Sequence, residues 1–108
     1  MTHVLDPYTY ILVDRKVVKH ANNEAWFMWF GSTERHVAVT KHGPVIISTV
    51  FVGIDRSYGR APHPLVFETA IFGGDHDGWE ECSASWAEAE AVHADAVALI
   101  RPPQIPGL

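Results

Sequence analysis

Seven histidines stand among the 108 residues, so the first question is whether any could bind a metal or move a proton. The tightest grouping is Asp75-His76-Asp77, inside a glycine-bounded run from Gly73 to Gly78. Carboxylate and imidazole ligands suit a hard or borderline metal, but alternate residues on a glycine turn need not converge. No second histidine pair stands at helical spacing, and neither H-E-x-x-H nor an EF-hand loop is present. Asp75, His76 and Asp77 are therefore the metal candidates, with an exposed polar turn as the preferred reading and no cofactor implied. Glu68 and His93 are the candidates for acid–base chemistry. Glu68 interrupts the apolar run Leu65–Phe72, where an ionised carboxylate needs a partner. Arg56 and Arg60, in the preceding loop, are the expected ones. His93 falls on an apolar helical face, where a core histidine bonded to a carbonyl or carboxylate is the plainer reading and a contact with Glu68 the sharper one. Arg56, Tyr58, Arg60 and His63 together could line a pocket for a small, nucleotide-like anion.

Nucleophilic catalysis finds little to work with. G-x-S-x-G and P-loop patterns are absent, and the single cysteine, Cys82, has no local signature of a nucleophile. One cysteine also excludes an internal disulfide and a cysteine-based zinc site. A non-enzymatic role is therefore the expectation. The residues split unevenly by charge. Positions 1–60 hold seven Lys/Arg against five Asp/Glu, a balance of +2, while 61–108 hold eight acids against Arg101, a balance of −7. An acidic half can dock a basic partner or simply be a solvated surface. Without a basic run, and with a net charge of −5, direct nucleic-acid binding is disfavoured. No apolar run is long enough for a membrane span, and the N-terminus lacks the pattern of a secretory signal. A cytoplasmic setting is the expectation.

Length and a 47% hydrophobic content predict one domain over 1–108 with a single core and loose ends at 1–7 and 102–108. Val45–Ile54 and Leu65–Phe72 are β-prone runs joined by a Pro/Gly/Arg loop, and they predict a central antiparallel pair. Both registers of the first run are apolar, which predicts cover on both faces, a second chain being one candidate cover. Tyr8–Val13, a turn at Asp14-Arg15, and Lys16–Lys19 predict an edge hairpin. Glu34–Thr40 predicts a strand that sets His36, Ala38 and Thr40 against Arg35, Val37 and Val39, and Trp79–Ser83 a last strand. Asn22 or Asn23 caps a short aromatic helix over about 23–31, stopped by Gly31, with a strand as the rival because aromatics also favour strands. If Trp26, Phe27 and Phe30 face the sheet, Met28 or Trp29 must point elsewhere. Trp26, Met28 and Trp29 are thus the candidate partner-binding residues. Ser85 and Glu88 form a capping box ahead of a helix over 86–100, with Trp86, Ala89, Val92, His93, Ala96 and Ile100 on one face. The fold expected is α+β: an antiparallel sheet of five to six strands with two helices packed on it.

Three segments carry a family resemblance. Ser48-Thr49-Val50-Phe51-Val52-Gly53-Ile54-Asp55 resembles the S-T-V-F-L-G-x-D strand of small proteins encoded in tailed-bacteriophage and prophage genomes. Leu65 to Gly74 resembles their L-x-F-E-T-x-x-F-G-G strand, and Ser85-Trp86 with Glu88-Ala89 and His93 their [ST]-W-x-E-A-x-x-x-H helix start. A tyrosine expected shortly before that helix is absent, with Ser83 nearby. The resemblance implies a small accessory protein made in the host cell during infection, and no particular activity. The leading expectation is binding to a host or phage macromolecule that modulates host processes or defence, through a protein partner or as a homodimer. A small-ligand protein or simple hydrolase built on the 56–63 loop with Glu68 and His93, and a minor virion component, are the alternatives.

Overall fold

Valine, isoleucine, threonine and phenylalanine make up all of 45–51 and 67–72 but Ser48, Glu68 and Ala70, and β-branched and aromatic residues favour the extended chain. A computed structural model describes residues 8–20 and 23–101. In chain order the elements are strands β1 (Tyr10–Val13) and β2 (Lys16–Lys19), helix α1 (Asn23–Ser32), strands β3 (His36–His42), β4 (Val45–Phe51), β5 (Phe67–Phe72) and β6 (Glu80–Ser83), and helix α2 (Trp86–Ile100). The α+β class is as expected. The six strands form two antiparallel sheets rather than one, a β1-β2 pair and a four-stranded sheet in the order β3-β4-β5-β6.

Gly53 causes the split. Its φ of +72° turns the chain out of β4, a conformation open to glycine at little cost. The run beyond it pairs with the start of β1: Thr9 bridges Ile54, Tyr10 N donates to Gly53 O at 2.8 Å, and Asp55 N donates to Tyr8 O at 2.8 Å. β1 then leaves to pair with β2 through Asp14 and Arg15, which both take positive φ, as a two-residue hairpin turn requires. α1 runs one residue beyond Gly31, the predicted stop, because Gly31 does not take the left-handed conformation that ends a helix. Asn23 is its first residue, and the alternative cap Asn22 lies outside the described residues.

The core lies between α2 and the inner sheet face. Phe51, Val66, Phe67 and Ala89 fill one end, with Tyr10, Leu12, Val17, Trp29 and Trp86 packed around them. Ile47, Ile71 and Ala96 fill the other, with Trp79 and Ile100 alongside. α2 presents Ala89, Val92, His93 and Ala96 inward, the face its 3.6-residue period predicts. Ser85 Oγ accepts from Glu88 N at 3.1 Å. At the far end Arg101 donates to Lys41 O and His42 Nδ1, tying α2 to β3.

Two expectations about faces need correcting. On β3 a bulge between His36 and Ala38 shifts the alternation, so Val37 joins the core, Thr40 points at α2 and Val39 points outward. On β4 the second register is not fully covered among the described residues. Ile46 (37% exposed) stands beside Phe72 (54%) and Val39 (49%) on the outer face.

Candidate functional site

The polar groups of this chain divide between the two faces of the four-stranded sheet. Strand periodicity decides which goes where. Phe67, Thr69 and Ile71 pair with Phe51, Thr49 and Ile47 on the inner face, leaving Glu68 and Ala70 with Val50 and Ser48 on the outer one. His93 therefore meets Thr69 and its neighbours, not Glu68. A His93–Glu68 pair, and any site built on both, is precluded by the sheet between them.

The inner-face group is a chain of four side chains. His93 Nδ1 bonds Thr49 Oγ1 at 2.7 Å, His93 Nε2 bonds Thr40 Oγ1 at 2.8 Å, and Thr49 Oγ1 bonds Thr69 Oγ1 at 2.7 Å. Each hydroxyl can turn to donate or accept, so either neutral tautomer of the imidazole is satisfied. No countercharge is bonded to the ring, and burial lowers the His93 pKa. A neutral, doubly bonded imidazole inside a core fixes the register of three strands against α2. It has no ring nitrogen left for a substrate or a metal. The signal in the sequence was the threonines at 40, 49 and 69, one on each of three adjacent strands; only the pairing register reveals that they converge.

On the outer face Arg56, one of the two arginines expected as partners for Glu68, forms an ion pair with it. Cys82 lies opposite Glu68 on β6. Burial, reinforced by the Glu68 charge, pushes its thiol pKa up, away from the thiolate that reactive cysteines need.

Asp55 is the group that sequence reasoning passed over. Its buried carboxylate organises the whole 55–64 loop: Oδ1 accepts from Ser57 N at 2.9 Å, Ser57 Oγ at 2.7 Å and Leu65 N at 3.0 Å, and Oδ2 from Gly59 N at 2.9 Å. Burial alone would raise its pKa. The Ser57 hydroxyl and the three backbone donors outweigh that and hold it at about 2. The loop residues nominated as an anion site consequently diverge. Arg56 is engaged by Glu68, Tyr58 packs edge-on against Tyr8 at 5.4 Å, Arg60 is exposed, and His63 lines a groove of about 500 Å³ with Tyr10, Val17, Pro64, Ala84, Ser85 and Glu88.

The aromatic helix sorts its side chains by period. Residues 26, 29 and 30 share a face. Trp26 is buried and donates Nε1–H to Tyr10 O at 2.8 Å, Phe30 stacks on it at 4.7 Å, and Trp29 stands edge-on to Phe51 at 5.8 Å. The outward pair is Phe27 and Met28, 68% and 74% exposed. Of the three residues nominated for partner binding, Met28 is at the surface, while Trp26 and Trp29 hold the helix down. Phe27, expected to face the sheet, joins Met28.

Asp75, His76 and Asp77 are exposed, and Asp77 Oδ1 accepts from Gly73 N at 2.7 Å to close the turn. Among the described residues no group of three or more His, Cys, Asp or Glu side chains is arranged to hold a metal. Nor is any helix among them long and apolar enough to cross a membrane. No family model matches the chain, and neither a curated protein nor a solved structure does.

Proposed function

We propose that this chain is a non-enzymatic accessory protein of the tailed-phage type, which binds a host or phage macromolecule through α1 and so modulates host processes or defence. The observation that carries this reading is the pair Phe27 and Met28, adjacent, large, apolar and exposed on a helix whose other face is anchored by Trp26 and Trp29. An aromatic beside a flexible thioether, on a helix held from behind, suits a protein groove. The groups best suited to chemistry are otherwise engaged: His93 is closed into the threonine chain and the Cys82 thiol is held protonated. The segments that resemble the phage family also have structural tasks in this chain. Gly53 turns β4, Asp55 clamps the loop, Thr49, Thr69 and His93 join the sheet to α2, and Ser85 caps it.

The test is a paired capture from host lysate with and without phage infection, using the wild-type chain and a Phe27→Asp/Met28→Asp variant as baits. A defined partner is expected on the wild-type bait, with at least about tenfold less on the variant, since removal of a buried apolar anchor costs more than 1 kcal/mol of binding. If both baits retain the same proteins, or neither retains any above bare resin, the reading fails.

A further inference from the structure

The outer face of the four-stranded sheet is built in rows, and their order across the strands is informative. One row runs Lys41, Ile46, Phe72 from β3 to β5. The next runs Val39, Ser48, Ala70, Glu80 from β3 to β6. The third row runs His36, Val50, Glu68, Cys82; His36 is bonded to Glu34, and Arg56 already neutralises Glu68. The exposed apolar groups thus occupy one end of the face, a cation marks its β3 edge, and an anion marks its β6 edge.

We infer that this face packs against the same face of a second copy of the chain, about a two-fold axis running along the strands between β4 and β5. β4 and β5 are the inner strands, and Ile46 and Phe72 are directly paired across them. That axis lays Ile46 on Phe72 of the second copy, and Phe72 on its Ile46, an isologous contact in which each side chain meets its complement. It also carries β3 over β6 of the second copy, so Lys41 approaches Glu80 one row away, twice over. A two-fold across the strands instead stacks β3 on β3 and β6 on β6, which gathers like charges at each edge. Charge selects the first axis. Glu68 enters the interface already paired with Arg56, so no carboxylate is buried alone on that row.

β3 and β4 have seven residues, β5 six and β6 four, so at about 4.8 Å between strands they span a face of at most roughly 19 by 20 Å, below the size of stable specific interfaces and suited to a weak, transient one. The dimer is therefore reversible, with a Kd of about 1–50 µM. This assignment is independent of the α1 reading, since it uses different residues on different elements.

Sedimentation velocity from about 1 to about 200 µM tests it, bracketing the expected Kd. The wild-type chain is expected to pass from monomer to dimer across that range. Phe72→Asp, or Phe72→Ser should the charged variant lose its native far-UV spectrum, is expected to weaken association at least about 100-fold, as loss of a central anchor does. Lys41→Glu alone is expected to weaken it about tenfold, and Lys41→Glu with Glu80→Lys to restore it to within about threefold of wild type. A wild-type chain monomeric throughout overturns the inference. So does a dimer indifferent to Phe72 substitution, or a charge reversal that fails to restore association.

Discussion

At the scale of single residues, two buried titratable groups set how stability depends on pH, in different windows. Asp55 has a folded pKa held at about 2 from an ordinary value of 3.8. Its contribution is complete above about pH 4 and is lost as pH falls through about 2, a loss of about 2 kcal/mol. Asp55→Asn keeps one acceptor and sets an amide against backbone donors. It should cost about 2–3 kcal/mol at neutral pH by urea unfolding, and the variant should lack the wild-type decline between pH 4 and 2. An unchanged slope there would mean the carboxylate is not the loop's clamp. His93 works the same way from the opposite charge type. Burial lowers its pKa in the folded chain, so below about pH 6.5 the unfolded chain takes up the proton more readily. Stability is full above that value and declines as pH falls toward the folded pKa. The difference in unfolding free energy between wild type and His93→Leu should therefore be largest near pH 7.5 and shrink toward pH 5.5; a constant or growing difference would refute a neutral core imidazole.

At the scale of elements, the junction between β4 and β1 matters more than either strand. Gly53 stands where a Cβ would come within 3.0 Å of the Trp26 ring, 3.2 Å of Tyr10 O and 3.3 Å of the Phe30 ring, at a φ of +72°. Gly53→Ala combines a left-handed backbone with overpacking against α1. It is expected to destabilise by about 2–4 kcal/mol in denaturant unfolding. A loss below about 0.5 kcal/mol would show that hairpin and α1 dock independently of this turn. The elements themselves were legible in the residues: both helices, the central pair, and the buried face of α2 follow from period and capping. Less legible was the partition of β1-β2 from the main sheet. That turns on one glycine's backbone angle, and a glycine in a strand pattern can equally mean a bulge.

At the scale of the whole molecule, the charge asymmetry of the two sequence halves takes on a spatial meaning. β3 comes from the first half and β6 from the second, and the sheet order sets them at opposite edges. Lys41 and Glu80 thereby become the two ends of one face, with Ile46 and Phe72 between them. α1 carries a second exposed apolar pair, Phe27 and Met28, so the inferred self-association and the proposed α1 contact draw on different residues. The sequence by itself determined the fold class, the helices, the need of Glu68 for a loop arginine and the inward face of His93, because each follows from local period, capping or the cost of an unpaired charge in an apolar run; the structure chose Arg56 over Arg60. Tertiary structure alone decided that His93 and Glu68 are separated, that three threonines converge on one imidazole, and that Asp55 rather than the arginines governs its loop. The first two are matters of register and of contacts across twenty or more residues, whereas Asp55 reaches donors two, four and ten residues on, along a loop whose path the strands on either side set. A one-residue shift in pairing reverses every face, and no local pattern fixes it.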